Sequence, residues 1–166
     1  MNHQQIYDYL MRARRDLWAA LKTLPDDVLS KPLLDGERFH SIKDLVAHIP
    51  SVEDGWINED IRRIPPVWNN FPDLHSSPDI TLSISVLINY WRAVETTTLS
   101  YFENLNEKTL NHVITPHDEP DTKLQLDGVL SHVMFHEMRH TAQICTLLRI
   151  QGIKPPALDL LWYLPV

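Results

Sequence analysis

The chain has 166 residues, 43% apolar and 22% charged, with a formal net charge of −7. That suits one globular domain spanning residues 1–166, long enough to bury a substantial core. A single cysteine, Cys145, excludes an internal disulfide framework and a multi-cysteine metal site, and the acidic balance, without a lysine- or arginine-rich run, excludes phosphate-driven nucleic-acid binding.

The N-terminal MNHQQIYDYL has no cationic-then-apolar signal pattern, and no apolar run approaches the ~20 residues needed to span a bilayer. A cytoplasmic protein without a membrane partner is the expectation. Residues 4–24 carry a helical stripe of Ile6, Leu10, Leu17, Leu21 and Leu24, ended by Pro25. Arg12, Arg14 and Arg15 on this helix are flanked by Asp8 and Asp16 and read as a solvated face. A long link, with Pro32 and Gly36, leads to Ser41, which has the form of an N-cap with Asp44 three positions on. The second helix follows through Ile42, Leu45, Val46, Ile49, Trp56, Ile57 and Ile61, with Pro50 expected to kink it or lie near its start.

Residues 66–78 read as a loop, and Pro78 and Asp79 prepare a third helix that runs to about residue 105. A polar stretch over 106–124 contains HVITP, a short extended piece suited to local pairing. The fourth helix spans about Leu126 to Gln151, with Gly152 as its C-terminal stop and Pro155-Pro156 beyond. The apolar tail ALDLLWYLPV is expected to pack on the helices. The whole reads as an all-α four-helix bundle with long inter-helix connections, exceeding the ~2–8 residues usual in bundles and able to carry crossovers or a lid.

The fourth helix contains HVMFHEMRH, with His132, His136 and His140 at four-residue spacing. Residues four apart share a helix face about 6 Å apart in rise, so two such imidazoles reach one ion. His132 and His140, about 12 Å apart along the axis, do not. The ligand pair is therefore 132/136 or 136/140, and a third ligand must come from another helix. His48, amid apolar residues in the second helix, is the natural candidate. Three neutral imidazoles with open coordination positions make a catalytic type of centre. His3, His40, His75, His112 and His117 lie near the terminus or in links and read as surface residues, His117 being the one whose loop could close over a site.

HEMRH also matches the H-E-x-x-H pattern of zinc peptidases. No histidine or glutamate follows His140, however, and Glu137 turns about 100° from His136 around the helix, toward solvent. A peptidase is therefore disfavoured.

SIKDLVAHI, HVMFHEMRHTAQICTLLRIQG and GIKPPALDLLWYL together resemble the DinB/YfiT-like metalloenzymes, over nearly the whole chain. These are the bacterial damage-inducible bundle proteins, not the translesion polymerase that shares the name. The resemblance implies that His48, His136 and His140 hold a divalent metal, zinc or nickel, commonly in a homodimer. His132 would then line the pocket. The family's frequent His-Arg-Gly-Gln run is His140-Thr141-Ala142-Gln143 here, which keeps the Gln and lacks the Arg and Gly. Glu53 and Gln143 are candidates to orient a ligand histidine, and Trp56 to line the pocket.

The resemblance further implies a thiol-dependent S-transferase using a low-molecular-weight thiol and a small-molecule substrate. The alternatives are a metal-dependent hydrolase and a non-catalytic, stress-related metal-binding dimer.

Overall fold

A computed structural model describes residues 1–34, 39–76 and 81–164. The Gly36 part of the first link, the side chain of His75 and the helix start at Pro78–Asp79 fall outside the described residues. Four long helices build the protein: α1 (His3–Lys22), α3 (Ile42–Asp54), α5 (Ile84–Phe102) and α7 (Leu126–Ile150). Short helices α2 (Asp26–Ser30), α4 (Pro72–Ser76) and α6 (Glu107–Leu110) sit in the links.

The helix ends follow local chemistry. Asn2 and Gln5 form a reciprocal capping box at α1, and Ser41 and Asp44 form the expected one at α3. Ser83 caps α5 by accepting from the Val86 N–H. Gly152, at φ 75°, closes α7: its N–H reaches the Arg149 carbonyl and the Ile153 N–H reaches the Leu148 carbonyl. Pro50 lies within α3 without ending it. The winding changes further on, where Gly55–Ile61 forms a π-helical turn.

α1 and α3 each pack against both α5 and α7. One apolar cluster joins Leu17, Trp18 and Leu21 of α1 to Ile42–Ile49 of α3, Leu87–Trp91 of α5 and Ile144–Leu148 of α7. The other joins Tyr7 and Leu10 to Ile57, Phe102 and Leu126–Met134. The starts of α3 and α5 thus share one end of the bundle with the finishes of α1 and α7. α1 and α7 run one way, α3 and α5 the other. Returning from α3 to a parallel α5 requires a crossover, and residues 62–83 supply it.

That crossover is not the plain loop expected over 66–78, because Val67–Asn70 forms a 3-10 turn and Pro72–Ser76 forms α4. Asp54 anchors it, accepting from the Val67 and Trp68 N–H groups at 2.9 and 3.0 Å. HVITP pairs as expected, through Val113–Ile114 (β1) against Leu124–Gln125 (β2), antiparallel. The tail lies along α1: Tyr163 donates to Asp16 and Tyr9 donates to the Leu158 carbonyl. Leu161 and Trp162 nevertheless remain 68% exposed, so it packs less completely than its composition suggests.

Between the two apolar clusters lies a charged layer, one residue from each long helix: Arg14, Glu53, Glu95 and Glu137. Arg14 is only 2% exposed, which overturns its reading as part of a solvated face. It donates to all three carboxylates and to the Tyr7 hydroxyl. Tyr7 and Thr98 in turn donate to Glu53. Arg12 and Arg15 are exposed as expected, and Arg15 reaches inward to Glu95. Burial disfavours the Arg14 charge, but Glu137, Tyr7 and Glu53 outweigh it and raise its pKa.

Candidate metal centre

α3 and α7 lie side by side, so His48 on one faces His136 and His140 on the other. The three residues offer ring nitrogens that all lie within 4.8 Å of one another. His136 Nε2 and His48 Nε2 are 3.0 Å apart and share a hydrogen bond. Zinc–nitrogen bonds of about 2.0–2.1 Å in a tetrahedral site set ligand nitrogens about 3.4 Å apart. Small side-chain rotations therefore carry the three imidazoles into such a site, and they could bind a divalent metal.

Gln143 Oε1 lies 2.5 Å from His140 Nδ1. An amide oxygen only accepts, so Nδ1 carries the proton and the Nε2 lone pair is left for a cation. The Arg139 guanidinium, 3.1 Å from that Nε2, donates to it, and its charge helps to keep both His140 and His136 unprotonated. Burial, then His140 and His48, push the His136 pKa down to about 3. Burial also lowers that of His140, against the Gln143 hydrogen bond. Both rings are therefore neutral at pH 7, the state a metal ligand requires.

Phe39 stacks on the His48 ring, with centroids 4.0 Å apart, and meets His140 edge-on. It roofs the histidine group from the link before α3. A cavity of about 390 Å³ opens beside His48, among Phe39, Ser51, Gly55, Glu59, Trp68 and Tyr90.

The other candidates separate cleanly. His132 sits one turn before the group, its ring 5.9 Å from His136, and lines a different cavity with Trp56. Glu53 does not orient a histidine, because its carboxylate is consumed by Arg14, Tyr7 and Thr98. Glu137 is buried against Arg14 rather than solvated, on the side of α7 that faces α1. It is therefore not placed as a peptidase's general base. His3 is part-buried rather than superficial, bonded to Ser131 Oγ. His40 and His112 are exposed. His117 is exposed as well, and its ring bonds to Asp60.

Sequence reasoning missed Phe39 and Arg139. Arg139 stood in plain view inside HEMRH. Phe39 precedes the Ser41 cap in a link, where no periodicity marks a side chain as inward.

Compared with known protein families, residues 1–166 match the DinB family along their whole length. The chain belongs to the DinB family. A search of curated proteins gives no match. Membership accords with the helical fold and with the histidine group. No helix among the described residues of this DinB-family chain is long and apolar enough to cross a membrane.

Proposed function

We propose that this DinB-family chain is a metal-dependent enzyme whose divalent ion, zinc or nickel, is held by His48, His136 and His140. The supporting observation is the convergence of three imidazoles from two helices beside an open cavity, those of His136 and His140 neutral at pH 7. Such an ion, when bound, supplies Lewis acidity that favours an anionic ligand such as a thiolate. The protein's own groups do the rest. Gln143 fixes the His140 tautomer, Phe39 covers one face of the His48 ring, and the cavity that both residues line admits a small molecule.

The reaction we infer is thiol S-transfer, in the cytoplasm and as a homodimer: the thiolate of a low-molecular-weight thiol forms a new bond from sulfur to a small electrophile, whose leaving group departs, and the thiol proton passes to water. The thiol and the dimer come from the family resemblance.

The test is metal content of untagged wild type and of His48→Ala, His136→Ala and His140→Ala, followed by turnover with a panel of thiols and electrophiles. About one ion per chain is expected, lost from every variant, with turnover lost alongside it. An ion that binds and supports no turnover would favour the non-catalytic alternative. Absence of any ion, even on titration with zinc or nickel, would remove the proposal.

A further inference from the structure

The cavity beside His48 has an unusual lining. Three aromatic rings border it, Phe39, Trp68 and Tyr90, with the small residues Ala47, Ser51 and Gly55 between them. Two carboxylates, Asp54 and Glu59, also line it, and no lysine or arginine does so among the described residues. Its volume of about 390 Å³ suits a small molecule.

The two carboxylates differ in what they do. Asp54 is fully engaged: it accepts from the Val67 and Trp68 N–H groups, from Asn58 Nδ2 at 2.7 Å and from the Tyr90 hydroxyl at 3.0 Å. That engagement fixes the crossover and sets the Tyr90 and Trp68 rings on the cavity wall. Glu59 lies on the π-helical turn, half-buried, and no hydrogen bond or ion pair with a described residue engages its carboxylate. Its surroundings are themselves acidic, Asp54, Asp60 and Asp118 all acting on it, with His117 the opposing base. A negative field, a spare carboxylate and aromatic faces together favour an organic cation, because ring quadrupoles attract ammonium groups and a carboxylate neutralises them.

We infer that this cavity binds the ammonium group of an amine-bearing substrate, with Glu59 as its counter-ion and Trp68, Tyr90 and Phe39 as its aromatic wall. This rests on the proposal that the cavity is the substrate side of the histidine centre. The site then reads as bipolar. The imidazoles take the metal and an anionic reacting group, and Glu59 takes the positive end of the molecule. Specificity would come from the Glu59 carboxylate, since an uncharged analogue would leave it facing Asp54, Asp60 and Asp118 with only His117 opposing them.

The test uses choline and its uncharged dimethylbutanol isostere as probes, titrated into the whole chain with and without zinc and followed by the tryptophan indole N–H resonances. Choline should bind at least about tenfold tighter than the isostere. Glu59→Gln should abolish that preference while retaining metal as wild type does. Trp68→Leu should weaken choline more than the isostere. Equal or undetectable binding of the two probes, or an undiminished choline preference in Glu59→Gln, would overturn the inference. A choline preference that persists in a chain binding no metal would sustain the cation site and overturn the metal proposal alone.

Discussion

Arg14 grips Glu137 with two parallel hydrogen bonds, Nε to Oε1 at 2.7 Å and Nη2 to Oε2 at 2.5 Å, at the centre of the bundle. The pair ties α1 to α7 next to His136. The same guanidinium holds α3 and α5 through Glu53 and Glu95. Three carboxylates therefore depend on one buried cation, helped by Arg15 from the edge.

Replacing Arg14 by Met should cost about 3–5 kcal/mol, because it leaves buried carboxylates without their countercharge. Urea unfolding measures the loss. The double variant Arg14→Met/Glu137→Gln should recover part of it by removing one stranded charge. A double variant no more stable than the single one would mean that packing, not charge, sets the cost.

Gln143→Leu should weaken zinc binding about 10–100-fold, since His140 loses the acceptor that fixes its tautomer. Competition with a chelator reads the affinity. Unfolding of the metal-free protein should barely change.

His132→Ala should retain zinc at the wild-type level, in contrast to His136→Ala. His132 lies outside the group of three and lines the Trp56 cavity. Elemental analysis of the two variants side by side decides the assignment.

The metal-free protein should lose stability in acid through His136. Its folded pKa is lowered to about 3, whereas the unfolded imidazole titrates near the ordinary value of about 6.5. Above that ordinary value neither state is protonated and there is no effect. As the pH falls from about 6.5 toward about 3, the unfolded state takes the proton first, so stability falls across that window. Proton NMR of the His136 ring should stay flat from about pH 8 to about pH 5. His136→Asn should have a shallower acid limb of stability than wild type.

Gly152→Ala should destabilise the end of α7 by about 1 kcal/mol, because φ 75° is strained for a residue with a Cβ even where space is open. Thermal unfolding reads this, and zinc affinity should not move.

The long helices were legible because each carries an apolar stripe and ends in recognisable chemistry: Ser41 before α3, Gly152 after α7. The histidine pairing was legible for a related reason. Four-residue spacing on α7 limits the choices, and His48 sits in the one other helix with a suitable histidine. Arg14 and Glu137 were misread because charge in a helical pattern normally marks the wet face. Only three-dimensional packing shows that each is the other's partner, 123 positions apart. Glu53 was offered as a support for a ligand histidine because it follows His48 by five residues, whereas packing commits its carboxylate to Arg14, Tyr7 and Thr98. The crossover was hidden because its shape comes from Asp54 accepting backbone N–H groups, a bond pattern that leaves no periodic trace.

His48 and His136 are 88 positions apart in the chain, on helices that meet only after the crossover has returned and α7 has docked. Neither half of the polypeptide alone holds all three imidazoles. During synthesis, an ion captured by His48 would have one ligand until nearly the last helix emerged. If the three imidazoles hold an ion as proposed, its uptake would be a late event, and its completion would certify that the α3–α7 seam has closed. A chain nicked in the crossover would keep its ion only for as long as the two pieces remained clasped, so metal release offers a direct clock for their separation.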